Sequence, residues 1–310
     1  MHILFITAAI TSLISNQPLE PRQNLKPISQ VHRGEESHYI FLKDLQNKEW
    51  ILKQYHDDNL EDHLDLVFEA VASKIAQSLG IAINYVKLIS PLENFEAKIF
   101  FNRPASLHLK VPGEQTTENF PWKNFDLHQK FRSPWMTKKN GPLEIEERGL
   151  RKIVIENMAK HPMLCKIAAL DTYLGNIDRS HPNIFYDSKT DSFYGIDMGN
   201  SFKGNLCDEA LQKIKFYKKE NTVFSPKELE ALKFYAEYLS LLVKNYPPRE
   251  LNELLESKII KAKLNDPQVY TWTEDVSDKM IRTQNNIENS YKDAKLLIVE
   301  IEDLLLTKRS

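Results

Sequence analysis

Apolar and polar residues alternate in two adjacent stretches near the N-terminus, residues 37–45 and 48–55, which are separated by a short polar turn. Alternation with a period of two predicts two strands joined as a hairpin. In residues 61–79 the apolar positions recur instead every three or four residues, and Gly80 follows. This spacing predicts an amphipathic helix with a glycine cap. Further strands are predicted at 83–89, 97–103 and 105–111. The pattern therefore predicts a small α+β lobe with one prominent helix.

Helical periodicity dominates the second half of the chain. It predicts helices at 144–160, 163–174, 226–245 and 249–263, the third of them capped by Ser225 with Pro226 in its first turn. Residues 112–145, rich in proline and glycine, predict an irregular linker or insertion between the two halves. A cleft between a β-rich lobe and a helical lobe is a natural place for a ligand.

The last helix is predicted from heptad spacing between residues 274 and 306. One row of its seam is Met280, Ile287, Ala294 and Ile301, and the second is Gln284, Tyr291, Ile298 and Leu305. Four heptads that include a polar Gln284 are marginal for a dimer. We therefore expect this helix to pack along the helical lobe.

Composition narrows the classes of protein. The chain has 310 residues, of which 42% are hydrophobic and 27% charged, enough for two modest domains or one bilobal domain. A formal net charge of −2 excludes a general nucleic-acid binder. Two cysteines exclude a disulfide framework and a four-cysteine zinc site. The apolar run 3–14 is too short to span a bilayer as a helix, so it predicts a cleavable export signal or, alternatively, a buried first element of a cytoplasmic protein.

The stretch 170–202 carries the candidate chemistry. A helix ends at Gly175, a polar loop follows, and two short strands surround the turn 188–191. For a hairpin centred on Thr190, residues whose numbers sum to 380 face each other, which places Asn183 opposite Asp197. Together with Asp178 in the loop, they would offer hard oxygen ligands for Mg²⁺ and phosphate, and an aspartate that deprotonates a hydroxyl. The alternative is a polar hairpin with ordinary turn aspartates.

This stretch resembles the catalytic and metal-binding segments of the phosphatidylinositol 3-/4-kinase-like family of the protein-kinase-like superfamily. Their pattern, roughly LDxxxxNxDRxxxN followed by IDxG, is matched by Leu170-Asp171, Asn176, Asp178-Arg179 and Asn183, and then by Ile196-Asp197-Met198-Gly199. HipA-like and secretory protein kinases share it more loosely. The resemblance implies a bilobal protein-kinase-like α+β fold and the cofactors ATP and Mg²⁺, with Mn²⁺ as a substitute. It also implies catalysis by Asp178, metal binding by Asn183 and Asp197, and bracing of the loop by Arg179 and Asp171.

The resemblance also requires a strand lysine for the nucleotide phosphates and a helix glutamate to hold that lysine. Lys53 lies in the second predicted strand and Glu69 in the helix that follows. A full glycine-rich loop is missing from the sequence. Gly34, which precedes the first strand, and Ser37 are the candidate phosphate contacts.

The phosphate acceptor is predicted to be an inositol lipid headgroup or a protein hydroxyl. Four lysines after the metal aspartate could receive an acidic headgroup at a membrane surface, although such a run is often a solvated helix face: Lys213, Lys215, Lys218 and Lys219. Two alternatives remain, a HipA-like or secretory protein kinase and a nucleotide-binding pseudokinase. The predicted organisation is a signal and extended segment at 1–30, an N-lobe at 31–111, the linker at 112–145, a C-lobe with the catalytic loop at 146–265, and a long helix at 266–310.

Overall fold

The computed structural model describes residues 25–33, 37–55, 60–89, 104–116, 152–179, 181–262, 264 and 274–308. The N-terminal part of this range forms an antiparallel sheet of six strands: β1 (Lys26–Pro27), β2 (His32–Arg33), β3 (Ser37–Lys43), β4 (Glu49–Tyr55), β5 (Val86–Ile89) and β6 (Ala105–Leu109). Their order in space is β1-β3-β4-β6-β5, and β2 also pairs with β3. The predicted hairpin 37–55 is therefore the centre of this sheet.

Helix α1 (Leu60–Ser78) links the sheet to the rest of the molecule. Its apolar side chains are buried where the helical spacing predicts, at Leu64, Val67, Phe68, Val71 and Ile75. Gly80 follows the helix with φ +62°, the left-handed conformation that glycine adopts without strain. These α1 side chains belong to one apolar core that continues into the C-terminal helices. Any displacement of α1 would therefore disturb the packing of both parts.

A second, three-stranded sheet consists of β7 (Glu114–Gln115), β8 (Ile184–Asp187) and β9 (Ser192–Gly195), and a short 3₁₀ turn, His181–Asn183, precedes β8. The predicted hairpin register is wrong by one residue. Paired residues sum to 379, as in Ile184 with Gly195, so Asn183 lies beside Ile196 rather than Asp197. The physical reason is the turn: the Asp187 carboxylate accepts hydrogen bonds from the Lys189 backbone N–H and the Thr190 hydroxyl, and Asp191 adopts a left-handed φ of 47°.

The C-terminal part is helical, with α2 (Ile153–Met158), α3 (Pro162–Leu174), α4 (Leu206–Lys219), α5 (Pro226–Asn245), α6 (Pro248–Lys261) and α7 (Glu274–Thr307). The observed bounds of α5 are those predicted. The Ser225 hydroxyl accepts from the Glu228 backbone N–H, and the Glu228 carboxylate accepts from the Ser225 backbone N–H, so a capping box fixes the start of this helix. Cys165 on α3 and Cys207 on α4 are buried in the helical core as free thiols, and burial raises the pKa of each.

Helix α7 packs against α4 and α5 and also touches α6, α3 and α1, as expected for a helix that lies along the helical lobe. One predicted row of its seam is buried at Ile287, Ala294 and Ile301. The other predicted row is only partly confirmed, because Gln284 is exposed. Tyr291 and Ile298 are partly buried against the core, and Leu305 is buried. A row of buried side chains lies beside the first row, each member one residue before a member of the second predicted row: Thr283, Ser290, Leu297 and Leu304. Two of these are polar, which is why the hydrophobic pattern missed them.

The predicted α+β class, with a β-rich N-lobe and a mostly helical C-lobe, is confirmed by this arrangement. The domain boundaries stay predictions. The candidate signal at 3–14, the strand predicted at 97–103 and most of the linker 112–145 lie outside the described residues. In the part of the chain that is described, no helix combines the length and the apolar character needed to cross a membrane.

Candidate active site

Lys53 lies on β4 and points into the space between the two lobes. Its cross-strand partner Tyr39 shares its face of the sheet, and Ser37 and Phe41 fall on that face by alternation along β3. The Lys53 ammonium is 3.8 Å from a carboxylate oxygen of Asp197. Burial by itself lowers the pKa of Lys53, but the carboxylates of Glu69 and Asp197 raise it above its ordinary value. Lys53 is therefore a firmly held cation.

Glu69 reaches the same point from α1, where its side chain is 2% exposed. The backbone N–H of Met198, the residue after Asp197, lies near the Glu69 carboxylate and lowers its pKa. Burial raises the pKa of Glu69 to about 8, and Asp197 adds to that rise, while Lys53 opposes it. Glu69 is thus close enough to Lys53 to raise the pKa of the ammonium, whereas the carboxylate within 4 Å of it is that of Asp197. A direct contact between Lys53 and Glu69 stays a prediction.

A polar cluster that the sequence reasoning missed lies behind Glu69. His108 on β6 is 3.6 Å from the Glu69 carboxylate, 3.0 Å from the Asn84 amide nitrogen and 2.6 Å from the Ser106 hydroxyl. Because the Asn84 amide donates to Nδ1, the proton of the neutral ring belongs on Nε2, which faces Ser106 and Glu69. Burial lowers the pKa of His108 to about 3, so the ring stays neutral. Ser106 and His108, two polar residues on one face of a predicted strand, were the available signal.

The loop after α3 is braced by Arg179, whose side chain is 1% exposed. Its guanidinium donates to both carboxylate oxygens of Asp171, at 2.8 and 3.0 Å. It also donates to the backbone oxygens of Asn183 and Ile196, at 2.8 and 2.6 Å. One side chain thus ties the end of α3 to both strands of the hairpin. The Asn176 amide adds a 2.9 Å bond to Asp171, so the carboxylate in the last turn of α3 is fully engaged.

Asp178, Asn183 and Asp197 converge at the open end of the hairpin. The Asn183 amide nitrogen donates to the backbone oxygen of Asp178 at 2.9 Å and lies 3.5 Å from its carboxylate. The Asn200 amide donates to the same carboxylate at 3.4 Å. Burial and the nearby Asp197 raise the pKa of Asp178, although Arg179 and Asn183 lower it. A raised pKa makes Asp178 a better proton acceptor for a hydroxyl than an ordinary surface aspartate.

Asp197 sits on a strained backbone. Its φ is 55°, in the left-handed region that residues other than glycine seldom adopt. Such residues cluster at functional sites, because the surrounding structure must hold them there. Here the Lys53 ammonium and the Arg179 bond to the Ile196 backbone oxygen enclose the position. The conformation lets Asp197 leave the strand direction, so it reaches Lys53 even though the hairpin does not pair it with Asn183.

The oxygen atoms at this point fit a magnesium–phosphate site. The bond from the Asn183 amide nitrogen to Asp178 fixes the rotation of the amide and leaves its Oδ1 as the candidate ligand atom. With Asp197 this gives one carboxylate and one amide oxygen, the small protein share that Mg²⁺ takes when phosphates and water supply the rest. Within the described ranges, no group of three or more His, Cys, Asp or Glu side chains could hold a metal ion by itself.

The other predicted site residues are not in contact with the cluster around Lys53 and Asp197 in any contact described above. Ser37 begins β3 and is 9% exposed, on the face that carries Lys53, whereas Gly34 lies outside the described residues. On α4 the Lys218 ammonium pairs with Glu300 of α7 at 2.6 Å, and with Asp303 as well. Lys215 and Lys219 are exposed and Lys213 is half-buried. Lys218 is therefore committed to the C-terminal helix, while the role of the other three stays a prediction.

The comparisons return kinases and phosphotransferases among the solved structures. The Helicobacter pylori proinflammatory kinase CtkA is 13% identical, with a TM-score of 0.45 over 91% of this chain and 97% of its own. The Golgi casein kinase with Mn/ADP bound is 16% identical, with a TM-score of 0.45 over 98% of this chain and 78% of its own. An aminoglycoside phosphotransferase from Alicyclobacillus acidocaldarius is 10% identical, with a TM-score of 0.31 over 96% of each chain.

These similarities are weak and concern the fold only. They do not assign the activity of those proteins to this chain. No family model matches the sequence, and no curated protein matches it.

Proposed function

We propose that this protein is a kinase that transfers the γ-phosphate of ATP to a hydroxyl group and requires Mg²⁺. The single observation that carries the proposal is the meeting of Lys53 with Asp197 at 3.8 Å, beside the buried Glu69. A lysine from the β-lobe, a helix glutamate and an aspartate from the helical lobe then surround one space. Ordinary surface aspartates would not require a partly buried lysine opposite them.

The chain's own residues divide the work of phosphoryl transfer. Lys53 is placed to bind phosphate oxygens, and Glu69 to orient Lys53. Asn183 and Asp197 would hold Mg²⁺, which when bound neutralises charge on the transferred phosphate. Asp178 accepts the proton of the attacking hydroxyl, for which its raised pKa suits it. Arg179 keeps the loop in place by its bonds to Asp171 and to the two hairpin strands.

Calorimetric titration with ATP, with and without Mg²⁺, tests the nucleotide site directly. The wild type should bind ATP more tightly with Mg²⁺ present, and Asp197→Ala should remove that gain because the carboxylate ligand is lost. Lys53→Met should weaken ATP binding in both conditions. Lys215→Met, an exposed lysine on α4, serves as the matched control and should bind ATP as the wild type does. Absence of nucleotide binding by the wild type would refute the proposal.

The acceptor that we propose first is an inositol lipid, as in the family that the catalytic segments resemble. Its support is the sequence pattern together with the exposed Lys215 and Lys219, which lie one turn apart on α4. Each lysine near an anionic surface contributes about 1 kcal/mol. Labelled ATP and phosphoinositide liposomes should therefore give lipid phosphorylation that falls when both lysines are changed to glutamate.

The second candidate is a protein hydroxyl, as in HipA-like or secretory kinases. The observation that favours it is the engagement of Lys218 by two carboxylates of α7, which removes one charge from the proposed headgroup site. Labelling of a generic protein substrate without labelling of any lipid would select this candidate. ATP binding without transfer to either class would instead indicate a pseudokinase.

A further inference from the structure

The eight residues 198–205 lead from Asp197 to the start of α4, and we name them the connecting segment. This segment is held on two sides by elements distant in sequence. From α1, the Phe68 ring meets the Phe202 ring edge to face at 5.4 Å, and from α7 the Asn286 amide donates to the Phe202 backbone oxygen at 2.8 Å. Phe202 is buried and adopts a left-handed φ of 64°. The conformation of the segment therefore depends on its neighbours.

Asp65 is the point where α1, the connecting segment and α7 meet. One of its carboxylate oxygens accepts a hydrogen bond from the Lys203 ammonium at 2.8 Å, and the other accepts one from the Lys279 ammonium of α7 at 3.1 Å. Its side chain is 13% exposed, and that of Lys279 is 14% exposed. Charge pairs at this burial are screened far less by solvent than pairs on an open surface.

A continuous chain of contacts runs from this point to the active site. Lys203 also donates to the Asn200 amide oxygen at 2.8 Å, and the Asn200 amide nitrogen donates to the Asp178 carboxylate at 3.4 Å. On α1, Glu69 follows Asp65 by four residues, so both side chains project from the same face of the helix. Gly199 packs directly against Asp65, because a methyl group there would lie 3.5 Å from the Asp65 Cβ.

Helix α7 supports the rest of the segment along the same face. The Asn286 amide donates to the Phe202 backbone oxygen at 2.8 Å, and the Asn205 amide donates to Asp293 at 2.6 Å. Residues 279, 286 and 293 are spaced by seven and therefore lie on one side of the helix. The helix thus follows the connecting segment from Lys203 to the cap of α4.

We propose that Asp65 is a positioning residue for the phosphoryl transfer proposed above, on which this inference rests. By holding Lys203 and Lys279 together, it fixes α1 and the connecting segment relative to each other. Glu69 is then kept opposite Lys53, while Asp178 is kept oriented through Asn200. The C-terminal helix is in this way part of the device that assembles the active site, although it contributes no residue to the chemistry.

The test removes the α7 end of the link and leaves the active-site residues intact. In Lys279→Met most of the aliphatic side chain is kept, and the ammonium, which lies 5.9 Å from the centre of the Phe68 ring, is lost. We expect kcat for ATP turnover, measured well below the melting temperature, to fall roughly 10- to 100-fold, because a displacement of about 1 Å has that effect. The KM for ATP should change much less, since Lys279 does not face the nucleotide. Lys279→Arg, which keeps the charge, should restore the rate.

Lys292→Met is the matched control, because Lys292 is exposed on the same helix. It should leave kcat unchanged. The double variant Asp65→Asn with Lys279→Met should be no slower than Asp65→Asn alone, since Asp65→Asn already removes the charge pair that Lys279→Met breaks. Fully additive losses would overturn the coupling. So would a Lys279→Met variant with the kcat of the control and a lower melting temperature only, because that result indicates a structural role.

Hydrogen exchange gives a readout that does not depend on activity. In Lys279→Met, amides of α1 and of the connecting segment should exchange faster than in Lys292→Met. Unchanged exchange would overturn the inference even for an active enzyme. If the wild type binds no ATP, the proposed function fails and the catalytic role of Asp65 fails with it, while faster exchange would still establish the link between α1 and α7.

Discussion

Replacing Arg179 by methionine should destabilise the protein strongly. The guanidinium is 1% exposed and Asp171 is fully buried, and they form a two-pronged ion pair at 2.8 and 3.0 Å. Removal of one partner of a buried pair leaves an uncompensated charge, which costs about 3–5 kcal/mol. The backbone oxygens of Asn183 and Ile196 lose their donors as well. We therefore expect the free energy of unfolding to fall by at least about 3 kcal/mol.

Urea unfolding followed by circular dichroism measures this change, with the slope m checked for a two-state transition. The double variant Arg179→Met with Asp171→Leu should be more stable than the single Arg179→Met variant, because the unpaired charge is gone. Arg249→Met is the matched control, since Arg249 forms a 2.8 Å pair with Glu253 on an exposed surface and its loss should leave the midpoint unchanged. A loss below about 1 kcal/mol in Arg179→Met would refute the view that this pair holds the loop.

Three further outcomes are expected. Asp178→Asn should lower phosphate transfer roughly 10²–10⁴-fold with ATP binding unchanged, and full transfer in a labelled-ATP assay would remove Asp178 from its role. Asn183→Ala should weaken ATP binding with Mg²⁺ more than without it, as measured by calorimetry, and an equal loss in both conditions would mean that its oxygen does not meet the ion. Because His108 is held neutral with a pKa of about 3, the unfolded chain takes up its proton first as pH falls below about 6.5. Between pH 6.5 and 5 the wild type should then lose about 1–2 kcal/mol more stability than His108→Gln, and equal losses in urea titrations would contradict the buried neutral ring.

The sequence pattern correctly predicted the elements whose bounds are fixed by residues near one another in the chain. Helix α5 has the predicted bounds because Ser225, Pro226 and Glu228 fix its start through backbone hydrogen bonds. The hairpin register was wrong by one residue because it depends on how Asp187 and Asp191 close the turn, which alternation does not report. The seam of α7 was misassigned where Thr283 and Ser290 are buried, because tertiary contacts there override hydropathy.

The sequence allowed several residues of the candidate site to be identified, but it did not predict how they are arranged in space. The spacing of Asp178, Asn183 and Asp197 identified side chains that the structure brings together. The same reasoning did not find Asp65, because its partners lie far along the chain, and it overlooked the pairing of His108 with Ser106 on one face of β6. Asp65 meets residues 138 and 214 positions away. Such contacts are set by the packing of α1 and α7, and a single sequence carries no local signal for them.

The two buried thiols allow opening of the helical lobe to be measured with the protein's own side chains. The chain contains two cysteines, and both belong to the C-lobe, where Cys165 donates to the Met158 backbone oxygen and Cys207 to that of Thr172. Their raised pKa leaves little thiolate in the folded protein. A thiol-specific reagent should therefore react only after the helices have separated. The sheet carries no cysteine, and it can therefore separate without any label being taken up. In a variant with Trp122, Trp135 and Trp272 changed to phenylalanine, the fluorescence comes from Trp50, which is buried in the sheet. Comparing its loss with the labelling rate would distinguish sequential from concerted opening of the two lobes.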